Sequence, residues 1–302
     1  MTRILVAGHI NIETTVRVDG FPIDYSPVRF PFFGVNTTVS GVGYNVAKAL
    51  TTLGDEVDLL SVIGADPAAL LVRQALAEAG VADDGVLALA RNTAQSAILY
   101  DEGGRRQINA DLKDVQETAY PLDRFETALS RVELAVLCNI NYARPMLRRA
   151  RLAGVPVASD VHAISDLDDA YNRDYMVAAD ILFMSHEHLP MSPEDWARAV
   201  LGRYGNRILV IGLGSEGALL AVRDDGFVGR FPALTTRPVV NTIGAGDALF
   251  SAFLHVYSQT GDPYEALRQA QVFASWKIGA VGAADGFLDA AGLVEKSKPV
   301  DA

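Results

Sequence analysis

The sequence predicts an α/β protein, with a mostly parallel, doubly wound sheet, helices on both faces and a small β-sheet lid. Three observations carry that prediction. Short apolar runs closed by glycine or a polar residue alternate with stretches of helical period, as repeated strand–helix units would. Residues 12–40 break this rhythm; they are rich in Thr, Val and Phe, hold Pro22, Pro27 and Pro31, and show no helical period. Late in the chain, Asn241-Thr242-Ile243-Gly244-Ala245-Gly246-Asp247 joins an extended segment to an apolar helix through a glycine-rich turn.

Taken in order, Ile4–Gly8 reads as a buried parallel strand, and His9–Glu13 follows at its carboxyl end, where ligands gather in open α/β sheets. Residues 12–19 and 28–40 read as short strands outside the main sheet, and Ser40–Leu50 opens a helix that stops near Gly54. A strand over 57–64, a helix over 67–79 and a hairpin over 95–110 turning at Asp101–Gly104 come next. The alternation continues with strand 134–138, helix 143–153, strands 155–159 and 181–184, helix 193–204 and strand 207–211. A strand pair over 217–231, the glycine-rich turn with its helix, and a last helix over 263–281 complete the pattern. One domain over 1–302 is expected, its lid inserted at about 12–40 with a contribution from 95–110.

Half of the 302 residues are hydrophobic and 21% are charged, an ordinary globular balance. A net charge of −11 argues against nucleic acid as a main partner, because no basic patch is available to release counterions. The single cysteine, Cys138, excludes an internal disulfide framework and fits a reducing compartment. The first residues run directly into a strand without a signal peptide, and no apolar run approaches a membrane span of ~18–20 residues. A soluble, cytoplasmic protein with no membrane partner is expected.

The glycine-rich turn carries the chemistry. A helix starting there points unpaired N–H groups and a partial positive charge outward, which suits an anion. Asp247 is a carboxylate at that anion site, and deprotonating a hydroxyl that attacks a phosphate would give it a purpose. A first-turn acid that merely favours the helix dipole explains the residues equally well.

N-T-I-G-A-G-D-A-L-F resembles the C-terminal signature of the ribokinase-like (phosphofructokinase B type) sugar and nucleoside kinases, and the likeness extends from the first strand to about residue 290. It implies an ATP-dependent kinase acting on a hydroxyl of a small sugar or related polyol, with a nucleoside kinase, or a binding regulator that has lost catalysis, as the alternatives. It implies Asp247 as catalytic base and the backbone N–H groups of Gly244, Ala245 and Gly246 as the anion hole. Asn241 stands where the family has an aspartate that helps to hold an activating monovalent cation, so potassium is expected to matter little.

Other stretches extend the resemblance. Ser40–Ala47 is similar to the family's G-G-x-G-x-N-x-A, which assigns Gly41 and Asn45 to the substrate, although alone the stretch reads as a packing-helix start. Asn11 and Glu13 match its two sugar-binding positions, with Glu for the usual Asp, and Asn139 stands where many relatives carry a sugar-contacting Glu. Gly212, Gly214 and Gly217 resemble the turn against the nucleotide phosphates, and Gly282 the segment flanking adenine. Ser185 and His188 occupy the N-x-x-E positions that organise magnesium through water. His186 and His188 lack an identifiable third ligand, so no protein-held metal is expected. Gly64 and Asp66 read as structural. The Phe- and Val-rich lid implies a homodimer joined through it.

Overall fold

The computed structural model describes residues 2–298. Strands β1 (Arg3–Ala7), β2 (Asn11–Arg17) and β3 (Val35–Ser40) lead into helix α1 (Val42–Thr52), then β4 (Glu56–Gly64) and α2 (Ala68–Glu78). Next come β5 (Val86–Ala90), β6 (Ala94–Tyr100), β7 (Arg106–Asp111), α3 (Leu122–Leu129), β8 (Leu134–Leu137) and α4 (Arg144–Leu152). The middle holds β9 (Val157–Ala163), α5 (Arg173–Ala178), β10 (Ile181–Ser185), α6 (Pro193–Tyr204) and β11 (Ile208–Gly212). The remainder is β12 (Ala218–Val222), β13 (Phe227–Phe231), α7 (Ala245–Thr260), α8 (Pro263–Lys277) and α9 (Ala290–Lys296).

Nine strands form the main sheet in the order β13-β12-β11-β10-β9-β8-β1-β4-β5. Pairing is parallel from β5 through β11 and antiparallel for β11–β12 and β12–β13. Within β1 the two-residue period separates two cores: Ile4 and Val6 join one cluster with Phe250 and Phe253 of α7, while Leu5 and Ala7 join another with Phe125 of α3 and Trp196 of α6. The continuous apolar run is therefore one strand covered on both faces. Local signals set helix ends: Ser192 caps α6 by accepting the Asp195 N–H at 3.2 Å, Pro193 opens it, and Gly205 closes it with φ 76°.

The lid is a separate sheet in the order β3-β2-β6-β7, with β2–β6 parallel and its other two pairs antiparallel. The expected strand over 28–34 is absent. Residues 18–34 form loop, because prolines at 22, 27 and 31 withhold N–H groups from any ladder, and only Val35–Ser40 pairs. The last long helix ends at Lys277 rather than 281, at the turn containing Gly279.

Asp66 bears out its structural reading. Its carboxylate accepts the Thr93 N–H at 2.9 Å and the Thr93 hydroxyl at 2.7 Å, pinning the chain where β5 hands over to lid strand β6.

Candidate active site

The glycine-rich turn is held from below by the segment after α8. The Val240 and Asn241 N–H groups both donate to Ile278 O, at 2.8 and 3.0 Å. Asn241 closes a local turn by accepting the Ile243 N–H at 2.8 Å, and its amide donates to Val281 O at 3.1 Å. Gly244 then turns left-handed, φ 76°, where a Cβ would lie 2.3 Å from Ala283 O. Among the described residues no side chain caps the start of α7. One expectation changes: the Ala245 N–H is spent on Thr242 O at 3.2 Å. Among the described residues, Thr242, Gly244, Gly246 and Asp247 are the turn positions whose N–H groups find no acceptor, the last three at the helix start.

The two signatures meet at this turn. Asn45, in the first turn of α1, donates its amide to Asp247 Oδ2 at 2.7 Å across 202 residues of sequence. Gly43 makes that approach possible, since a Cβ there would come within 2.3 Å of Gly8 O at the end of β1. Burial pushes the Asp247 carboxyl above the usual aspartate range, against the opposing pull of Asn45, His162 and Lys277.

Asn11 and Glu13 alternate on β2 and both are buried. Asn11 donates to Ser96 Oγ at 2.7 Å, whereas its Oδ1 and Glu13 Oε1 have no hydrogen-bond partner. Buried oxygens left this way ask for donors such as sugar hydroxyls. Burial also pushes the Glu13 carboxyl up, with Ser40 acting in the opposite sense. Gly41, φ 102°, has the Asn11 Oδ1 3.0 Å from where a Cβ would sit, which joins these positions into one floor. Asn139 is placed differently: its amide donates to Asn172 at 3.0 Å, tying the loop after β8 to the start of α5.

Ser185 and Gly212 are neighbours at the carboxyl ends of β10 and β11. The His186 N–H donates to Gly212 O at 2.9 Å. Gly214 lies against the His186 ring, and Gly217 is required by packing, because a Cβ there would lie 2.1 Å from Phe231 O. Gly282 carries the turn to Asp285, whose N–H donates back to it at 3.3 Å. An open cleft of about 470 Å³ runs between the lid hairpin, Gly104–Gln107, and Glu187 beyond β10.

Two functional candidates were not assigned from sequence. Arg106, on β7, reaches from the lid to donate to Thr242 Oγ1 at 2.9 Å. Lys277 ends α8 fully buried, with its ammonium donating to Ile243 O. Burial pushes its pKa down to about 8, although Asp247, Asp285 and Glu13 pull the other way. No local signal marked either, because Arg106 lies 136 residues from Thr242 in sequence and Lys277 lies 34 from Ile243.

A parallel sheet with a helix start whose N–H groups lack acceptors near its carboxyl edge, and a second small sheet, is an arrangement suited to a kinase of small molecules. The chain belongs to the pfkB family of carbohydrate kinases, whose pattern matches residues 1–290. It is 29% identical to an ATP-dependent ribose-1-phosphate kinase of Halopiger xanaduensis, over 94% of each chain. It is 27% identical to an acarbose 7(IV)-phosphotransferase of an Actinoplanes species, over 97% of each. Among solved structures, a microbiome-derived acarbose kinase superposes with TM-score 0.87 at 27% identity, covering 98% of each chain. A ribokinase of Thermotoga maritima, at 21% identity, shares the fold with TM-score 0.78 over 98% of this chain and 99% of its own. The protein is a carbohydrate kinase of the ribokinase fold, and kinases of this family use ATP. Among the described residues no helix is long and apolar enough to cross a membrane.

Proposed function

We propose that the protein transfers the γ-phosphoryl group of ATP to a hydroxyl of a small sugar or related polyol, with Asp247 as the base. The observation that carries this reading is the Asn45–Asp247 hydrogen bond of 2.7 Å. It joins the polyol-facing helix start to the anion turn, beside the unpartnered oxygens of Asn11 and Glu13. In this reading Asn11, Glu13, Gly41 and Asn45 hold the sugar, and Asn139 supports the wall through Asn172. Asp247 takes the hydroxyl proton as the oxygen attacks phosphorus, and its raised proton affinity suits a general base. The free N–H groups of Gly244, Gly246 and Asp247 receive charge on the transferring group, and Arg106 stands ready above them from the lid. Ser185, Gly212, Gly214, Gly217 and Gly282 line the nucleotide side.

Among the described residues no cluster of three or more His, Cys, Asp or Glu side chains could hold a metal ion. Magnesium would then ride on the ATP phosphates with most of its waters, neutralising their charge, with Ser185 and Glu187 at the β10 exit able to hold it through water.

We further propose that the lid joins two copies of the chain. Phe30, Phe32, Phe33 and Val35 are 74%, 76%, 101% and 54% exposed, an apolar patch that an isolated chain leaves in water.

ATP consumption measured against a panel of aldoses, ketoses, sugar phosphates, cyclitols and nucleosides tests the function. Phosphorylation of a sugar or polyol is the expected result. Turnover confined to nucleosides would replace it with the nucleoside-kinase reading, and tight binding without turnover would point to a regulator.

A further inference from the structure

Lys277 is unusual for a lysine. It has no exposed surface, and no carboxylate lies within ion-pair distance of it among the described residues. A buried ammonium is costly unless something requires it. A helix C-terminus favours a cation, but an exposed lysine would serve that purpose without the cost of burial. Among the described residues the one acceptor of the Lys277 ammonium is the main-chain oxygen of Ile243, inside the anion turn. Two of its three N–H groups remain unspent. Around it stand Asp247, Asp285 and Glu13, three acids whose combined field would repel an incoming polyphosphate, with Arg237 the other nearby cation. Asn241, beside Ile243, is neutral and uses its side chain on Ile243 N–H and Val281 O.

We propose that Lys277 is a tethered cation beneath the anion turn. Its ammonium fixes the Ile243 carbonyl and so aims the free N–H groups of Gly244, Gly246 and Asp247. It also offsets the carboxylates of Asp247 and Glu13, and leaves no room or need for a monovalent ion from solution. Lys277 is thus a positioning residue, acting through the turn. The inference rests on the reading of that turn as the phosphate site.

Lys277→Ala tests it, because it removes the ammonium and opens a space about the size of a small cation; Lys277→Met refills most of that space without charge. Sugar phosphorylation and melting temperature are measured in ammonium, potassium or tetramethylammonium chloride at equal ionic strength. For Lys277→Ala, kcat/KM should fall by about 10²-fold in tetramethylammonium and recover at least tenfold in ammonium or potassium. Its melting temperature should rise by about 2 °C or more with the small cations, a readout that needs no substrate. Lys277→Met should lose the rate without recovery, and the wild type should respond to none of the salts. Wild-type kcat/KM should also fall as pH rises through about 8, a limb absent from Lys277→Met. Unchanged kcat/KM in both variants, a folded Lys277→Ala that no small cation relieves, or a potassium-dependent wild type would each overturn the proposal. Asp247→Asn separates the two readings, since loss of a base is not relieved by any cation. If Asp247→Asn keeps the wild-type rate while Lys277→Ala shows cation recovery, the base assignment fails and the tethered cation stands.

Discussion

Replacing Asp247 with Asn is nearly isosteric, and the consequences can be worked from the site. The Asn45 amide donates to Asp247 Oδ2 at 2.7 Å, and an asparagine can present its own oxygen to the same donor. What disappears is the charge assistance of that bond, about 1 kcal/mol. Against this stands the cost of holding a carboxylate out of water, the leading cause of its raised pKa. The two oppose, so folding stability should change by no more than about 1 kcal/mol, a few degrees in Tm. The rate has no such compensation: loss of the base should lower kcat by about 10²–10⁴-fold, or ~2.7–5.4 kcal/mol of barrier. Steady-state kcat on the sugar, calorimetric ATP affinity and thermal melting are measured together. A kcat within about threefold of wild type would refute the base assignment. A parallel collapse of ATP affinity and Tm would show instead that the residue only shapes the turn. The pH dependence has a definite sign. An acid whose folded pKa is raised contributes stability that is fully present below its ordinary value of 3.8 and is lost as pH rises through the folded value. Asp247→Asn should therefore lose less Tm than the wild type between acid and neutral pH.

Gly244→Ala places a Cβ at φ 76° and 2.3 Å from Ala283 O, so it should cost about 2 kcal/mol or more in urea unfolding and abolish phosphoryl transfer. A variant with both properties of the wild type would show that the turn adapts freely. Phe32→Asp with Val35→Asp should leave the fold intact, yield monomers by light scattering, and raise KM for the sugar more than for ATP. A wild-type monomer at micromolar concentration would end the dimer proposal, and the phenylalanines would then cover substrate within one chain.

The parallel strands were legible because residues such as Ile4–Ala7 and Leu134–Leu137 are apolar on both faces, a pattern only a doubly covered sheet requires. The glycine turn was legible because Gly244 needs a backbone conformation that other residues resist. Residues 28–34 misled: Phe30, Phe32 and Phe33 favour strands by composition, but Pro31 and the surrounding loop override that preference. Strand β5 and helices α3, α5 and α9 were missed because short segments of mixed burial carry little periodicity. The site was legible as two motifs, yet their direct contact through Asn45 and Asp247 depends on tertiary folding. Lys277 was hidden for a different reason. A lysine in a last helical turn reads as a favourable surface charge, and nothing local to it says that it points inward.

The four crossings between the main sheet and the lid have a mechanical consequence. The chain passes through Gly8–Ile10, Gly41, Arg91–Thr93 and Leu112, each only one to three residues long. One of them, Arg91–Thr93, is clamped at both ends by carboxylates: Asp66 on Thr93, and Asp114, which accepts the Arg91 N–H at 2.8 Å. Asn11 and Glu13 are rungs of the lid sheet itself, whereas Asn45 and Asp247 belong to the body. Under the proposed function, a sugar held by all four would bridge the lid and the body. Any tilt of the small sheet about its crossings changes the spacing between the groups that recognise the hydroxyls and the group assigned to deprotonate one. In that proposal recognition and closure are a single displacement, so a ligand that fails to span the gap would also fail to close the lid.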